Sequence, residues 1–343
     1  MNIQSFRWIS TIAILEPVIR SLFHKSIVVG MLKTHYRCSK LGNTPQEPDF
    51  VASLTLDTTP AIAEDVGRFV GKAGFSFNIS SVFCHQKPIV KFVGDDKTNK
   101  ACELGDILFV HLHRENGTVV HRNALLFQAK VSASQPCYID SAGSAQLDLY
   151  SNRPVFTYSR GPFNGQERQI ECDNRWKKDV CYMQIDPSEP FERKSGLSGM
   201  SDTFPIGSCL PCNKLEIDTD LANELIFFLI AKSGRPFDDY DVAQKTIGWS
   251  RVVWDLLEGA KSAKFRRKNA GISDAPRGPK DLSVAWDGVS VTSSRPSTNG
   301  GSSFLNDIPP NRDGTHENDF HGGVSLVMFE SASTAEFRER EFR

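Results

Sequence analysis

The stretch ELGDILFVHLHRENGTVVHRNALLFQAK, residues 103–130, decides how this chain is read. Asp106–Leu112 and Asn123–Lys130 are near-continuous apolar runs, the pattern of strands buried on both faces. Glu115, Asn116 and Gly117 separate them, and Asn-Gly between two apolar runs is a strong short-range signal for a hairpin. An antiparallel hairpin sets the start of its first strand opposite the end of its second. Asp106 is therefore expected beside Gln128 and Lys130, which share one strand face while Ala129 takes the other.

Charge at the ends of two apolar strands calls for a partner. A hard cation such as Mg2+ takes one or two carboxylates and fills its other positions with water and phosphate oxygen. The Asp106 carboxylate, the Gln128 amide oxygen and the Ala129 carbonyl form such a donor set. Lys130 is then placed to orient or deprotonate a bound water, or to offset charge on a phosphate.

Working outward, Ile89–Val93 and Phe75–Phe83 read as strands. Thr59 and Pro60 open a helix that Gly74 ends, with Ile62, Val66, Phe69, Val70 and Ala73 as its buried stripe. A further amphipathic helix is expected over Pro17–Lys33, with Pro17 at its first position, and Ser39–Pro48 reads as a polar linker. Beyond Lys130, a short helix is expected at Ala145–Tyr150 and a strand at RPVFTYSR, residues 153–160. Residues 160–215 show no regular period. Helices follow at Thr219–Lys232 and after Ser250, and GGVSLVMFE, residues 322–330, reads as a strand that returns to a sheet. The tract TSSRPSTNGGSS lies in a stretch expected to be a mobile insertion, residues 270–318. The chain thus divides into 1–51, a helix and linker; 52–160, a core; 161–269, a partly helical accessory region; 270–318, the insertion; and 319–343, a strand and tail.

A helix bearing an acid, a strand, an Asp-led strand and a strand ending in Gln-x-Lys together resemble the core of the PD-(D/E)xK nucleases, the restriction-endonuclease-like fold. Gly105-Asp106 and Phe127-Gln128-Ala129-Lys130 carry the likeness, which spans roughly residues 60–158. It implies an α/β protein with a mixed central sheet flanked by helices. It implies Mg2+- or Mn2+-dependent hydrolysis of phosphodiester bonds in DNA, in restriction, anti-phage defence or repair. On the matching positions, Asp106 and Gln128 hold the metal and Lys130 serves the attacking water. The helix acid falls on Glu64, ten residues before Gly74, and Gln146 supports the catalytic face from the following helix. Gln128 departs from the family's Glu or Asp, so another acid must supply charge. Glu103 and Asp65 are the candidates, and helix phase favours Asp65 over Glu64. A core of the same kind that has lost turnover and acts as a binding or scaffold subunit is the alternative. Cutting both strands of a duplex would take two sites, hence a homodimer.

The rest of the composition is neutral on function. Forty basic residues against forty-one acidic ones in 343 exclude a global polyanion-binding charge. Eight scattered cysteines fit reduced thiols and a cytoplasmic setting. The apolar run Trp8–Leu15 is interrupted by Glu16, Pro17 and Arg20, so neither a membrane span nor a signal peptide is expected. Cys209 and Cys212 form a CxxC that Cys172 and Cys181 could complete as a zinc-stabilised interaction module, although the second pair lacks tight spacing. His111 and His113 share a strand face near His85 and His121 and are candidate ligands or solvated residues. KFRRKNAG, residues 264–271, could contact phosphates or complement a helix C-terminus, while Trp249 and Trp254 read as core anchors.

Overall fold

The computed structural model describes residues 3–84, 88–134, 136–160, 163–173, 175, 178–188, 206–262, 265–267, 272–275 and 323–333. The chain opens with one long helix, α1 (Ile3–Lys40), which runs through Pro17 instead of starting there. Packing explains the difference. Trp8, Ile12, Ile19, Phe23 and Ile27, on both sides of the proline, are all buried. Burial at about 1.5–3 kcal/mol per large apolar side chain outweighs the roughly 3 kcal/mol a mid-helix proline costs.

The stretch read as a linker is turn and coil over 41–46 and helical only at its two ends. The end of α1 occupies its first residues, and α2 (Glu47–Ser53) begins at Glu47. A five-residue π-helical turn, Leu54–Thr58, joins α2 to α3 (Thr59–Lys72), so Thr59 lies inside a continuous helical rod and does not cap it. Ile62, Val66 and Val70 are buried along α3, but Phe69 faces outward. Gly74, at a φ of +85°, ends the rod in the left-handed conformation glycine tolerates.

The strands and helices then follow as β1 (Phe75–Val82), β2 (Ile89–Val93), β3 (Asn99–Glu103), β4 (Ile107–Glu115), β5 (Thr118–Val131), β6 (Cys137–Tyr138), α4 (Ser144–Asn152), β7 (Val155–Arg160), β8 (Glu167–Gln169), β9 (Val180–Ile185) and β10 (Ile206–Cys209). Then come β11 (Lys214–Leu215), β12 (Thr219–Asp220), α5 (Leu221–Leu229), β13 (Arg235–Pro236), α6 (Tyr240–Ala243), α7 (Trp249–Ser262), β14 (Phe265–Arg267), β15 (Ile272–Ala275) and β16 (Ser325–Ser333). Most of the insertion expected at 270–318 lies outside the described residues, as does KFRRKNAG apart from β14.

A large mixed sheet runs in the order β1-β16-β4-β5-β9-β10-β12, with β13 pairing to β5. β4 and β5 form the expected antiparallel hairpin, with Ile107 opposite Phe127. Asn116 and Gly117 both take positive φ, +49° and +73°, as the right-twisting two-residue turn demands. β16 enters between β1 and β4, antiparallel to the first and parallel to the second. β9, from the region without a visible period, lies parallel to β5. The sheet therefore draws strands from three of the five expected segments and does not close within 52–160.

Two apolar layers cover this sheet. One face packs against α1, α2, α3 and α5 through Phe23, Phe50, Ile62 and Leu225. The other packs against α4, α7 and a second sheet, β3-β2-β7-β8, through Tyr150, Trp254, Val90 and Phe156. Trp249 and Trp254 are core anchors as expected, each with its indole N–H on a backbone carbonyl.

Candidate functional site: an acid and lysine cluster at one sheet end

The hairpin register brings Asp106 to the end of β5. Its backbone N–H donates to Phe127 O at 2.9 Å, and its Oδ2 accepts from Ala129 N at 2.8 Å. Its own carbonyl accepts from Ser325 N at 2.9 Å, so β16 also holds it in place. Gly105 precedes it because space is tight: a Cβ there would lie 2.8 Å from Leu126 Cδ1 and 3.1 Å from Tyr150 Oη.

Gln128 and Gln146 meet, as expected, but as partners of each other. Gln146 Nε2 donates to Gln128 Oε1 and, at 3.0 Å, to the Glu103 carbonyl. Gln128 Nε2 donates to Ala129 O at 3.3 Å. Tyr150, one turn beyond Gln146 on α4, donates its hydroxyl to Leu104 O at 2.7 Å. One helix face thus clamps the Glu103–Leu104 segment against the sheet.

The acid that reaches this cluster from a helix is neither Glu64 nor Asp65. Glu64 is 60 % exposed and pairs with Arg68, and Asp65 pairs with Lys25 on α1. Glu47, the first residue of α2, interacts electrostatically with Asp106, Glu103 and Lys130 instead. Local sequence explains its position: Pro48 suits the first turn, and Gln46 N donates to Asp49 Oδ2 at 2.8 Å, closing a capping box. The stretch Gln46-Glu47-Pro48-Asp49 was thus a helix-start signal hidden in apparently linker-like sequence. α2 then packs across β5, which sets its first residue over the sheet end.

The electrostatics mark the cluster as one unit. Burial raises the Glu47 carboxyl to about 7, with Glu103 pushing the same way and Lys130 opposing. Burial, then Glu47 and Glu103, hold Asp106 well above the usual carboxylate range, against the Ala129 N–H and Lys130. Burial likewise raises Glu103, and Lys130 again opposes. Burial and mutual repulsion thus favour the neutral form of these acids, and Lys130 favours the charged one. Among the described residues, no three or more His, Cys, Asp or Glu side chains are arranged to hold a metal ion as they stand.

The same finding bears on the other candidate sites. Cys181 packs into the α1 side of the sheet and Cys209 into the opposite side, so the four cysteines cannot share one zinc. His111 and His113 are buried beneath Trp8, and both meet Ser331 Oγ, at 3.0 and 2.8 Å. Burial pushes His113 and His121 down to about 4 and lowers His111 well below the usual histidine range, so His111 and His113 are neutral core histidines and not solvated ones. His85 lies outside the described residues. No helix among the described residues is long and apolar enough to cross a membrane.

Comparison with known families, characterised proteins and solved structures finds no match to this chain.

Proposed function

We propose that this chain is a divalent-metal-dependent nuclease that hydrolyses phosphodiester bonds in DNA. The observation that carries the reading is Asp106 seated at the Gln128–Ala129–Lys130 end of β5, its Oδ2 accepting from Ala129 N at 2.8 Å, with Glu47, Glu103 and Lys130 in electrostatic reach of it. The donors are oxygens, the choice of a hard cation, and Mg2+ uses only one or two carboxylates with water completing its shell, so a closed cage of three acids is not required. A bound Mg2+ or Mn2+ would neutralise the acids and make a bound water a better nucleophile. Asp106 and Glu47 would hold the ion, Lys130 would orient the water or offset charge on the phosphate, and Gln146 with Tyr150 keeps the Glu103–Leu104 segment in place.

Purified protein incubated with plasmid and single-stranded DNA in Mg2+ or Mn2+ should cleave at least one of them. Asp106→Ala and Lys130→Ala should each lower the rate by about 100-fold or more with circular dichroism unchanged. Equal cleavage by wild type and variants would remove the assignment. A second reading, a core of this kind without turnover, draws on the hydrogen bonds that engage both ends of the Gln128 amide. It predicts no Mn2+ affinity that depends on Asp106, which calorimetry separates from the first.

A further inference from the structure

With a shared zinc set aside, the CxxC of Cys209 and Cys212 still places two thiols in opposite surroundings. Cys209 is the last residue of β10, paired with Tyr182 of β9 and buried in the apolar layer that also holds Tyr182 and Leu215. Cys212 follows Leu210 and Pro211 and is exposed, and neither cysteine is in a disulfide.

A disulfide needs Cα atoms about 4.4–6.8 Å apart, whereas three extended residues span roughly 10–11 Å, so the chain between the cysteines has to turn. It does so, since the backbone bends at Pro211, Cys212 and Asn213. Pairing fixes the chain on both sides of the turn. β10 is held to β9 as far as Cys209, and beyond the turn Ile139 N donates to Asn213 O at 3.0 Å and Lys214 pairs with Tyr138. The Cys212 thiol turns back onto this loop and donates to Lys214 O.

The same surroundings set an order of events. Burial pushes the Cys209 thiol up to about 12, so at neutral pH it is protonated and closed to solutes, while the Cys212 thiol is open to them. Cys209 nevertheless stands at the end of its strand, where local opening costs least. We propose that Cys212 and Cys209 form a reversible disulfide driven by hydrogen peroxide, with Cys212 reacting first and Cys209 resolving it. The Cys212 thiolate attacks the O–O bond and takes one oxygen as a sulfenic acid, and the other oxygen leaves as water. The Cys209 sulfur then attacks the Cys212 sulfur: the S–S bond forms, the S–O bond breaks, and the hydroxyl leaves with the Cys209 proton as a second water. The two thiols together lose two electrons and the peroxide gains them. None of these steps involves the acids around Asp106.

Peptide mass spectrometry of the full chain, treated with hydrogen peroxide and then alkylated, tests the assignment. The peptide that carries both cysteines should become lighter by two hydrogen atoms and take no alkyl label, and dithiothreitol should reverse both changes. In Cys209→Ala the sulfenic acid on Cys212 should persist and be captured by dimedone, an adduct that wild type yields in far smaller amount. In Cys212→Ser the Cys209 thiol should stay reduced. The wild-type measurement stands by itself if either variant folds poorly. Cys212 joined in wild type to Cys137, whose strand β6 pairs with β11 just beyond it, would overturn the assignment. So would a wild-type Cys212 that passes to the sulfinic acid, a Cys209 that oxidises as readily in Cys212→Ser, or wild-type thiols that peroxide leaves unchanged.

Discussion

Glu47 shows what burial among like charges does to one residue. Its carboxyl rises from 4.5 to about 7, chiefly through desolvation. A raised folded value means that the folded state binds the extra proton. The associated stability is present below pH 4.5 and is lost as pH rises through about 7. Without divalent metal, thermal melts of wild type and Glu47→Gln should therefore agree near pH 4.5, and wild type should fall behind by roughly 1–3 kcal/mol above pH 7. Parallel curves would show that Glu47 does not titrate in the cluster. The buried histidines work in the opposite sense over an overlapping range. His113 and His121, held down to about 4, contribute stability above pH 6.5 that is lost as pH falls toward 4. Comparing wild type with a Glu47 variant cancels that contribution, which both proteins share.

At the scale of elements, local chemistry predicted most helices and strands, and tertiary packing moved their ends. Gly74, Asn116 and Gly117 fall where the turn rules put them, because a positive φ is a property of one residue. Pro17 did not fall where its rule put it, because Trp8 and Ile12 on its N-terminal side pack into the core and carry the helix onward. Replacing Pro17 with Ala restores a backbone donor inside α1 and should raise stability by about 1–3 kcal/mol, read by denaturant unfolding. No gain would mean that packing on both sides of residue 17 depends on a bend the proline provides. Ser39–Pro48 hid the start of a helix for a related reason. Its composition is polar and turn-rich, as its coil over 41–46 bears out, yet α2 opens at Glu47 and gains its stability beyond that stretch, from Phe50, Val51 and Ala52 in the core.

For the molecule as a whole, the decisive feature is the place of β16. The C-terminal strand lies between β1 and β4, bonded to both along its length, and Ser325 also binds Asp106 and Cys84. A chain ending at residue 322 should lose cooperative thermal unfolding and most far-ultraviolet dichroism, because β1 and β4 lose the strand they share. If the truncated protein keeps a sharp transition, β1 has re-paired directly with β4, an antiparallel partner by direction. That result would make β16 an addition to a smaller sheet.

By itself, the sequence determined the β4–β5 hairpin, its turn, and the meeting of Asp106 with the Gln-x-Lys end, since apolar runs and turn residues are encoded within 28 consecutive positions. It also determined the helix carrying Gln146 and Tyr150 on one face. Only the tertiary structure decided that Glu47 and not Glu64 joins the cluster, that Gln128 turns its amide to Gln146, and that β9 and β16 flank the hairpin. These are contacts between residues far apart in the chain. Whether an acid is buried beside another acid depends on which surfaces pack, and no local period or spacing records that.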